Sequence, residues 1–403
     1  MPLSLSTKKV FIVGAKRTPF GAFGGSFKSL TATDLAVISS KSAIESCKID
    51  PSNIDATFIG NVIQSSNDAC YMSRHVGLRS GVPISSPSLT INRLCGSGFE
   101  TLVQGTEAIL LGSASVTLCG GSENMSACPM ILNGSSARWG VTLGSSLKLE
   151  DSLWAGLTDS YVGLPMGITA ENLAAKYDIN RKQCDEFALR SQLLWAAGHA
   201  SGSFNAEIAP ITIELKKGPK TIDTDEHPRP ETTIEKLGNL KSVFKKDGVV
   251  TAGNSSGICD GAGSLVVASG EAIKSLGLDS LAKVVSWGIV GCEPSIMGIG
   301  PVNAIKKALK FAELKLEDID LIEVNEAFAA QYLAVEKELN LNRDIVNTCG
   351  GAIALGHPLG ASGSRILAHL THKLIKEKLR YGVGAACIGG GQGIAVILEN
   401  TQL

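Results

Sequence analysis

Two separate segments of this chain repeat at one offset, which restricts the possible folds more than any other feature of the sequence. Ala43 to Ile59 (AIESCKIDPSNIDATFI) and Ala308 to Val324 (ALKFAELKLEDIDLIEV) share a helix, turn and strand pattern 265 residues apart, with Ile54-Asp55 matching Ile319-Asp320. At the same offset Leu94-Cys95-Gly96-Ser97-Gly98 overlies Leu359-Gly360-Ala361-Ser362-Gly363, and Leu102 overlies Leu367. Self-similarity at a fixed spacing marks a duplicated unit. Short β-branched runs (Val10 to Val13, Thr57 to Ile59, Ser115 to Leu118, Ser264 to Val267, Leu321 to Val324, Ala385 to Ile388, Ile394 to Leu398) alternate with helical stretches. The chain therefore reads as two related α/β halves.

Residues 128 to 248 have no partner in the repeat and read as an inserted loop domain. The expected organisation is a first half of 1–127 with 249–274, the insert 128–248, and a second half of 275–403. Asn180 and Gln183 form a capping-box pattern, after which Cys184, Phe187, Ala188, Ser191, Leu194 and Trp195 recur at helical spacing. That helix reads as scaffold. Glu214 to Asp247 carries eight Lys or Arg against seven Asp or Glu, a solvated face rather than a basic patch.

Charge and composition exclude several function classes. Of 403 residues, 37 are Lys or Arg and 38 Asp or Glu, a formal charge of -1; this removes the broad attraction on which non-specific nucleic-acid binders rely. No apolar run approaches the roughly 18 residues of a membrane-spanning helix. Ten cysteines without a Cys-x-x-Cys pair do not make a secreted disulfide framework, and six His without ligand spacing beside paired Cys do not make a zinc site. A reducing compartment and no metal are expected. Lys8, Lys9, Lys16, Arg17 and Lys28 precede the first acidic residue, Asp34, the bias of an organelle-targeting segment. The strand at Val10 leaves too short a leader for cleavage, so such a segment would stay attached.

The 45 glycines draw attention to glycine-framed positions. Cys95 lies in Asn92-Arg93-Leu94-Cys95-Gly96-Ser97-Gly98, ahead of a helical stretch from Phe99. A helix N-terminus favours the thiolate, which makes Cys95 either a nucleophile or a core cysteine at a packed turn. His357 lies in Gly350-Gly351-Ala352-Ile353-Ala354-Leu355-Gly356-His357-Pro358-Leu359-Gly360, a constrained loop suited to a general base; a satisfied core histidine is the alternative. In the repeat His357 stands just before the counterpart of the Cys95 turn. Cys387 opens Cys387-Ile388-Gly389-Gly390-Gly391-Gln392-Gly393, which a strand follows. A dinucleotide fingerprint needs a helix there, so the run reads as a tight turn with backbone N–H groups facing a site. Asn325-Glu326-Ala327-Phe328 follows the strand Leu321 to Val324 at a βα junction, as ligand-binding group or helix cap.

These four motifs, in this order, resemble those of the thiolase family over about Lys9 to Ile397. The resemblance implies a five-layered αβαβα fold of two pseudo-equivalent halves with mixed sheets and a loop domain inserted in the first. It implies Cys95 as the acylated nucleophile, His357 as its base, Cys387 as a second acid/base and Asn325 as holder of a water in an oxyanion hole. The N–H groups of Cys95 and Gly389 would form a second such hole. Coenzyme A contacts carry over to Arg229, Thr232 and Ser256, and the acyl end to Met166 and Phe328. The implied activity is coenzyme-A-dependent cleavage of 3-ketoacyl-CoA to acetyl-CoA and a shortened acyl-CoA, by an acyltransferase of fatty-acid β-oxidation with coenzyme A as co-substrate and no other cofactor. Short-chain acetoacetyl-CoA thiolases commonly have His-Met where this chain has Pro165-Met166, so the broader-chain branch is expected. A carrier-protein ketosynthase would have histidines where Asn325 and Cys387 stand. An acyl-CoA hydrolase would need water to reach the acylated Cys95, and a non-catalytic acyl-CoA-binding scaffold would have no use for the four motif residues together. The resemblance also implies a homotetramer built from two-fold dimers. Its location is expected to be the mitochondrial matrix, with the cytosol as alternative; the terminal Thr401-Gln402-Leu403 differs from the Ser-Lys-Leu peroxisomal address.

Overall fold

The computed structural model describes residues 8–216 and 218–403; the first seven residues of the N-terminal segment lie outside them. The first half runs β1 (Val10–Arg17), α1 (Ala32–Ser46), β2 (Ala56–Gly60), α2 (Met72–Arg79), β3 (Ser88–Ile91), α3 (Ser97–Leu110) and β4 (Val116–Asn124). A long segment carrying α4 (Met166–Lys176) and α5 (Arg181–Ala200) follows, and β5 (Cys259–Ser269) then returns to the first half. The second half runs β6 (Ala282–Gly291), α6 (Gly300–Ala312), β7 (Leu321–Val324), α7 (Ala329–Leu339), α8 (Ser362–Glu377), β8 (Tyr381–Ile388) and β9 (Gln392–Asn400).

Strand order is β7-β8-β9-β6-β1-β5-β4-β2-β3. Read outward from the centre, β1-β5-β4-β2 mirrors β6-β9-β8-β7. The halves join where β1 pairs antiparallel with β6, Phe11 opposite Lys283. Within each half the outer pair is parallel (β2 with β4, β7 with β8) and the inner pairs are antiparallel, giving the mixed sheets expected. The 265-residue offset holds at three of the paired elements: α3 starts at Ser97 and α8 at Ser362, β2 at Ala56 and β7 at Leu321, and β4 at Val116 and β8 at Tyr381.

Five layers result. Helices α1 and α2 cover the outer face of one half around Leu35, Ile44 and Val76, and α6 and α7 cover the other around Ile305, Ala308 and Leu333. Between the sheets lie α3 and α8, whose Phe99, Leu102, Ile366, Leu367 and Leu370 are wholly buried. Each such side chain stabilises the fold by roughly 1.5–3 kcal/mol. These two helices touch backbone to backbone: a Cβ on Gly98 would come 2.5 Å from the Ser364 nitrogen, and one on Gly363 would meet the Phe99 nitrogen. The glycines that aligned in the repeat are therefore the crossing point of the middle layer.

The segment between β4 and β5 adds no strand to the large sheet among the described residues; its strands pair only as two-stranded hairpins. Helix α5 begins as expected, with the Asn180 side chain accepting from the Gln183 N–H and the Gln183 side chain accepting in return. The segment is tied to both halves by a buried ionic network. The Arg17 guanidinium of β1 bonds Glu207 and Asp225, each at 2.6 Å, and Glu207 also bonds His369 of α8 at 2.7 Å. No helix of the described residues is long and apolar enough to cross a membrane.

Candidate active site

Cys95 sits on a tight turn just before α3. Leu94 has φ of +46°, a left-handed conformation uncommon for a side chain of its kind. Ser97 holds the turn: its Oγ donates to Leu94 O at 2.7 Å and accepts from the Arg93 N–H at 2.9 Å. The Cys95 thiol is pushed up to about 11 by burial, opposed by hydrogen bonds from the Gly389 and Cys95 N–H groups and reinforced by the Glu123 charge. This corrects the expectation of a helix-stabilised thiolate. Desolvation outweighs those two hydrogen bonds, so the sulfur keeps its proton at neutral pH.

His357 follows a four-residue helix, Ala352–Leu355, and Gly356 at φ +97°, where a Cβ would lie 2.5 Å from the Cys259 sulfur. Its N–H donates to Gly257 O at 2.9 Å, its Nδ1 lies 2.5 Å from Ser362 Oγ, and its Nε2 lies 3.3 Å from Asn325 Nδ2. Burial, and then the Arg365 charge, pull the imidazole down to about 3, so it is neutral. Asn325 is fixed by its N–H on Ala385 O, and its buried Oδ1 has no hydrogen-bond partner among the described residues.

Two buried carboxylates position these loops. Glu326 accepts from Ser191 Oγ, Asn347 Nδ2 and the Ile353 N–H, fixing the glycine loop ahead of His357. Glu123, pushed up to about 7 by burial against its hydrogen bonds, accepts from the Gly360, Val62 and Ile63 N–H groups and Asn61 Nδ2. It thereby joins the His357 loop to the first half. Neither glutamate is marked in the sequence beyond Glu326 lying next to Asn325.

A cavity of about 330 Å³ lies over Cys95 and His357. Of the expected residues, Cys95, His357, Met166, Ser256 and Phe328 line it. Its remaining wall is largely apolar, with Leu153, Trp154 and Leu157 from the inserted segment and Phe244, which meets Phe328 edge to face at 6.3 Å. Cys387 lies beneath, fully buried with Met297 and Ala327, its thiol raised well above its ordinary range by burial and then by the Cys95 and Cys292 sulfurs. Gly389 directs its N–H at Cys95. Arg229 and Thr232 do not line the cavity. They form an exposed turn in which Thr232 Oγ1 donates to Arg229 O at 2.7 Å, held by the Arg229 N–H on Gln192 of α5 at 2.8 Å. Among the described residues no group of three or more His, Cys, Asp or Glu is placed to hold a metal, and all ten cysteines are free.

Duplicated halves with a cysteine and a neutral histidine at their seam define a thiolase architecture. The thiolase N-terminal domain matches residues 10–271 and the thiolase C-terminal domain residues 278–400, and the chain belongs to the thiolase family of acyltransferases. It is 57% identical over 392 residues to the mitochondrial 3-ketoacyl-CoA thiolase of Homo sapiens, covering 97% of this chain and 98% of that protein. The crystal structure of human mitochondrial 3-ketoacyl-CoA thiolase in complex with CoA superposes with a TM-score of 0.95 at 56% identity, over 98% of each chain. A probable acetyl-CoA acyltransferase of Staphylococcus epidermidis is 46% identical over 98% of this chain and all of that protein.

Proposed function

We propose that this chain is a 3-ketoacyl-CoA thiolase, cleaving 3-ketoacyl-CoA with coenzyme A to acetyl-CoA and a shortened acyl-CoA, as its mitochondrial relatives are named for doing. The observation that carries the reading is the pairing of Cys95 and neutral His357 over one apolar cavity, with the Gly389 N–H on the sulfur and Cys387 beneath. His357 takes the Cys95 proton as the sulfur attacks the ketone carbon. The bond between the ketone carbon and its neighbour on the thioester side breaks, and the acetyl-CoA enolate leaves. Its oxygen is stabilised from the Asn325 and His357 side, and Cys387, which holds its proton firmly, protonates its carbon. Cys387 recovers a proton from incoming coenzyme A, whose sulfur attacks the Cys95 thioester. The N–H groups of Cys95 and Gly389, already on that sulfur, would hold the second oxyanion. Cys95 leaves and regains its proton from His357, so every proton returns to its starting group.

The apolar wall and Pro165 beside Met166 favour chains longer than acetoacetyl. Arg229 and Thr232, on an exposed turn outside the cavity, suit the nucleotide end of coenzyme A better than the reacting end. A mitochondrial site of action is inferred from the relatives and the basic N-terminal stretch, and a homotetramer is inferred from the family resemblance and the exposed apolar residues of the inserted segment. The test is a cleavage assay across 3-ketoacyl-CoA chain lengths with and without free coenzyme A. Product formation that ignores coenzyme A would make the protein a hydrolase, and none at any length a binding scaffold.

A further inference from the structure

The duplication placed a serine at the first position of both central helices, Ser97 in α3 and Ser362 in α8, 265 residues apart. Each serine closes a loop that carries a reacting side chain. Ser97 Oγ donates to Leu94 O at 2.7 Å and accepts the Arg93 N–H at 2.9 Å. Ser362 Oγ, at the equivalent position, has other partners: it donates one residue further back, to Pro358 O at 3.1 Å, and meets the His357 side chain at Nδ1, 2.5 Å away.

A serine hydroxyl has one proton. With that proton on Pro358 O, the short contact to His357 is made only if Nδ1 carries the hydrogen and the serine oxygen accepts it. Nε2 then keeps its lone pair, on the side of Asn325 and the cavity. Ser362 is 1% exposed and His357 5%, so water is poorly placed to substitute.

We infer that Ser362 is a positioning residue that fixes His357 in the Nδ1-protonated tautomer, leaving Nε2 as the only ring nitrogen able to take the Cys95 proton. The inference rests on the proposed cleavage reading only for its effect on turnover; for the tautomer it rests on the hydrogen bonds of Ser362 and Asn325. Without the hydroxyl the imidazole loses its Nδ1 acceptor, and the Nε2-protonated form, which cannot serve as base toward the cavity, becomes populated. The repeat thus places a serine at the same position in both halves, put to two uses: in one it shapes the nucleophile's turn and in the other it sets the base's tautomer.

The test uses the free full-length protein with ¹⁵N-labelled histidine, the His357 signals being assigned by their loss in His357→Gln. The expected spectrum has a protonated Nδ1 and a bare Nε2, and Ser362→Ala should show both tautomers. In the same variant kcat should fall on the order of ten-fold, less than the 10²- to 10⁴-fold lost with a base itself, with KM little changed. Ser362→Thr, which keeps the hydroxyl, should restore both. A bare Nδ1 in the wild type, or an unchanged tautomer and kcat in Ser362→Ala, would overturn the proposal. If Ser362→Ala does not fold, the wild-type and Ser362→Thr spectra decide it. No substrate enters the spectrum, so its outcome and that of the cleavage assay stand apart.

Discussion

A thiol pushed up to about 11 and an imidazole pulled down to about 3 are, taken separately, a poor nucleophile and a weak base at neutral pH. In the proposed mechanism their proton transfer therefore belongs to the attack itself, when the developing oxyanion meets the N–H donors. One consequence is a flat profile: neither group titrates between its shifted values, so single-turnover acylation of Cys95 should not change across about pH 6 to 9. A titration near 7 that persisted in Glu123→Gln, which removes the carboxyl itself pushed up to about 7, would show a stabilised thiolate instead. Cys95→Ala should abolish turnover, and peptide mapping after brief substrate exposure should find the acyl group on Cys95 alone. In the proposed mechanism Cys387 has a different task, so Cys387→Ala should slow thiolysis by roughly 10²- to 10⁴-fold and abolish deuterium exchange at the acetyl-CoA methyl group. Exchange at the wild-type rate in a folded variant would pass both proton transfers to His357. Cys95, His357, Cys387 and Asn325 stood out in the sequence as candidates because three of them are framed by glycines or a proline and the fourth follows a clear strand. Glu123 and Ser362 were not, since each is an ordinary residue whose role comes from its partners, distant Gly360 for the one and a single imidazole nitrogen for the other.

Among the elements, β7 matched its sequence run from Leu321 to Val324, and the other strands read from β-branched runs proved longer. Strand β5 extends from Cys259, beyond Ser264 to Val267, because it is buried along its whole length and pairs on both sides, so Gly261 and Gly263 are held by neighbours rather than by propensity. Strand β6 was missed, although Ala282, Val284, Ser286 and Gly288 alternate inward along it, because serine and glycine dilute the apolar signal. The Arg17, Glu207 and His369 network was equally invisible, its members lying on three different segments. Burial opposes charge on both Glu207 and His369, yet their mutual attraction and Arg17 hold Glu207 down to about 2, and Glu207 lifts His369 to about 10. The Glu207 contribution is present above its ordinary 4.5 and lost as pH falls toward 2. The His369 contribution is complete below its ordinary 6.5 and lost as pH rises toward 10. This network should therefore stabilise most between those ordinary values. Glu207→Gln leaves two buried cations short of their shared anion and should cost about 3–5 kcal/mol, with a flattened alkaline fall in Tm. Thermal unfolding across about pH 4 to 10 measures both, and an unchanged alkaline limb would remove His369 from the network.

At the scale of the whole molecule, the inserted segment presents an apolar arm to solvent. Met130 is 58% exposed, Trp139 83% and Leu149 64%, on and between the paired strands Met130–Leu132 and Leu149–Asp151. A contiguous exposed apolar stretch of this kind marks an association surface, and a second copy of the chain is the occupant we infer, in line with the tetramer that the family resemblance implies. The arm is also mechanically continuous with the cavity. Asp151, the last residue of its second strand, accepts from the Leu153 N–H at 2.9 Å and caps the short helix that puts Leu153 and Trp154 into the cavity wall. Association through the arm should therefore order the acyl wall while leaving Cys95 and His357, which sit at the ends of the central helices, untouched. Light scattering at micromolar concentration should give four times the mass of one chain. The triple variant Met130→Asp, Trp139→Asp, Leu149→Asp should give a smaller, folded species. Because it disturbs binding of the acyl chain rather than the chemistry, its KM for longer 3-ketoacyl-CoA should rise several-fold while kcat changes little. A wild-type monomer, or a variant of unchanged mass, would break the link between arm and assembly. A smaller species with unaltered KM would break the link between assembly and the acyl wall.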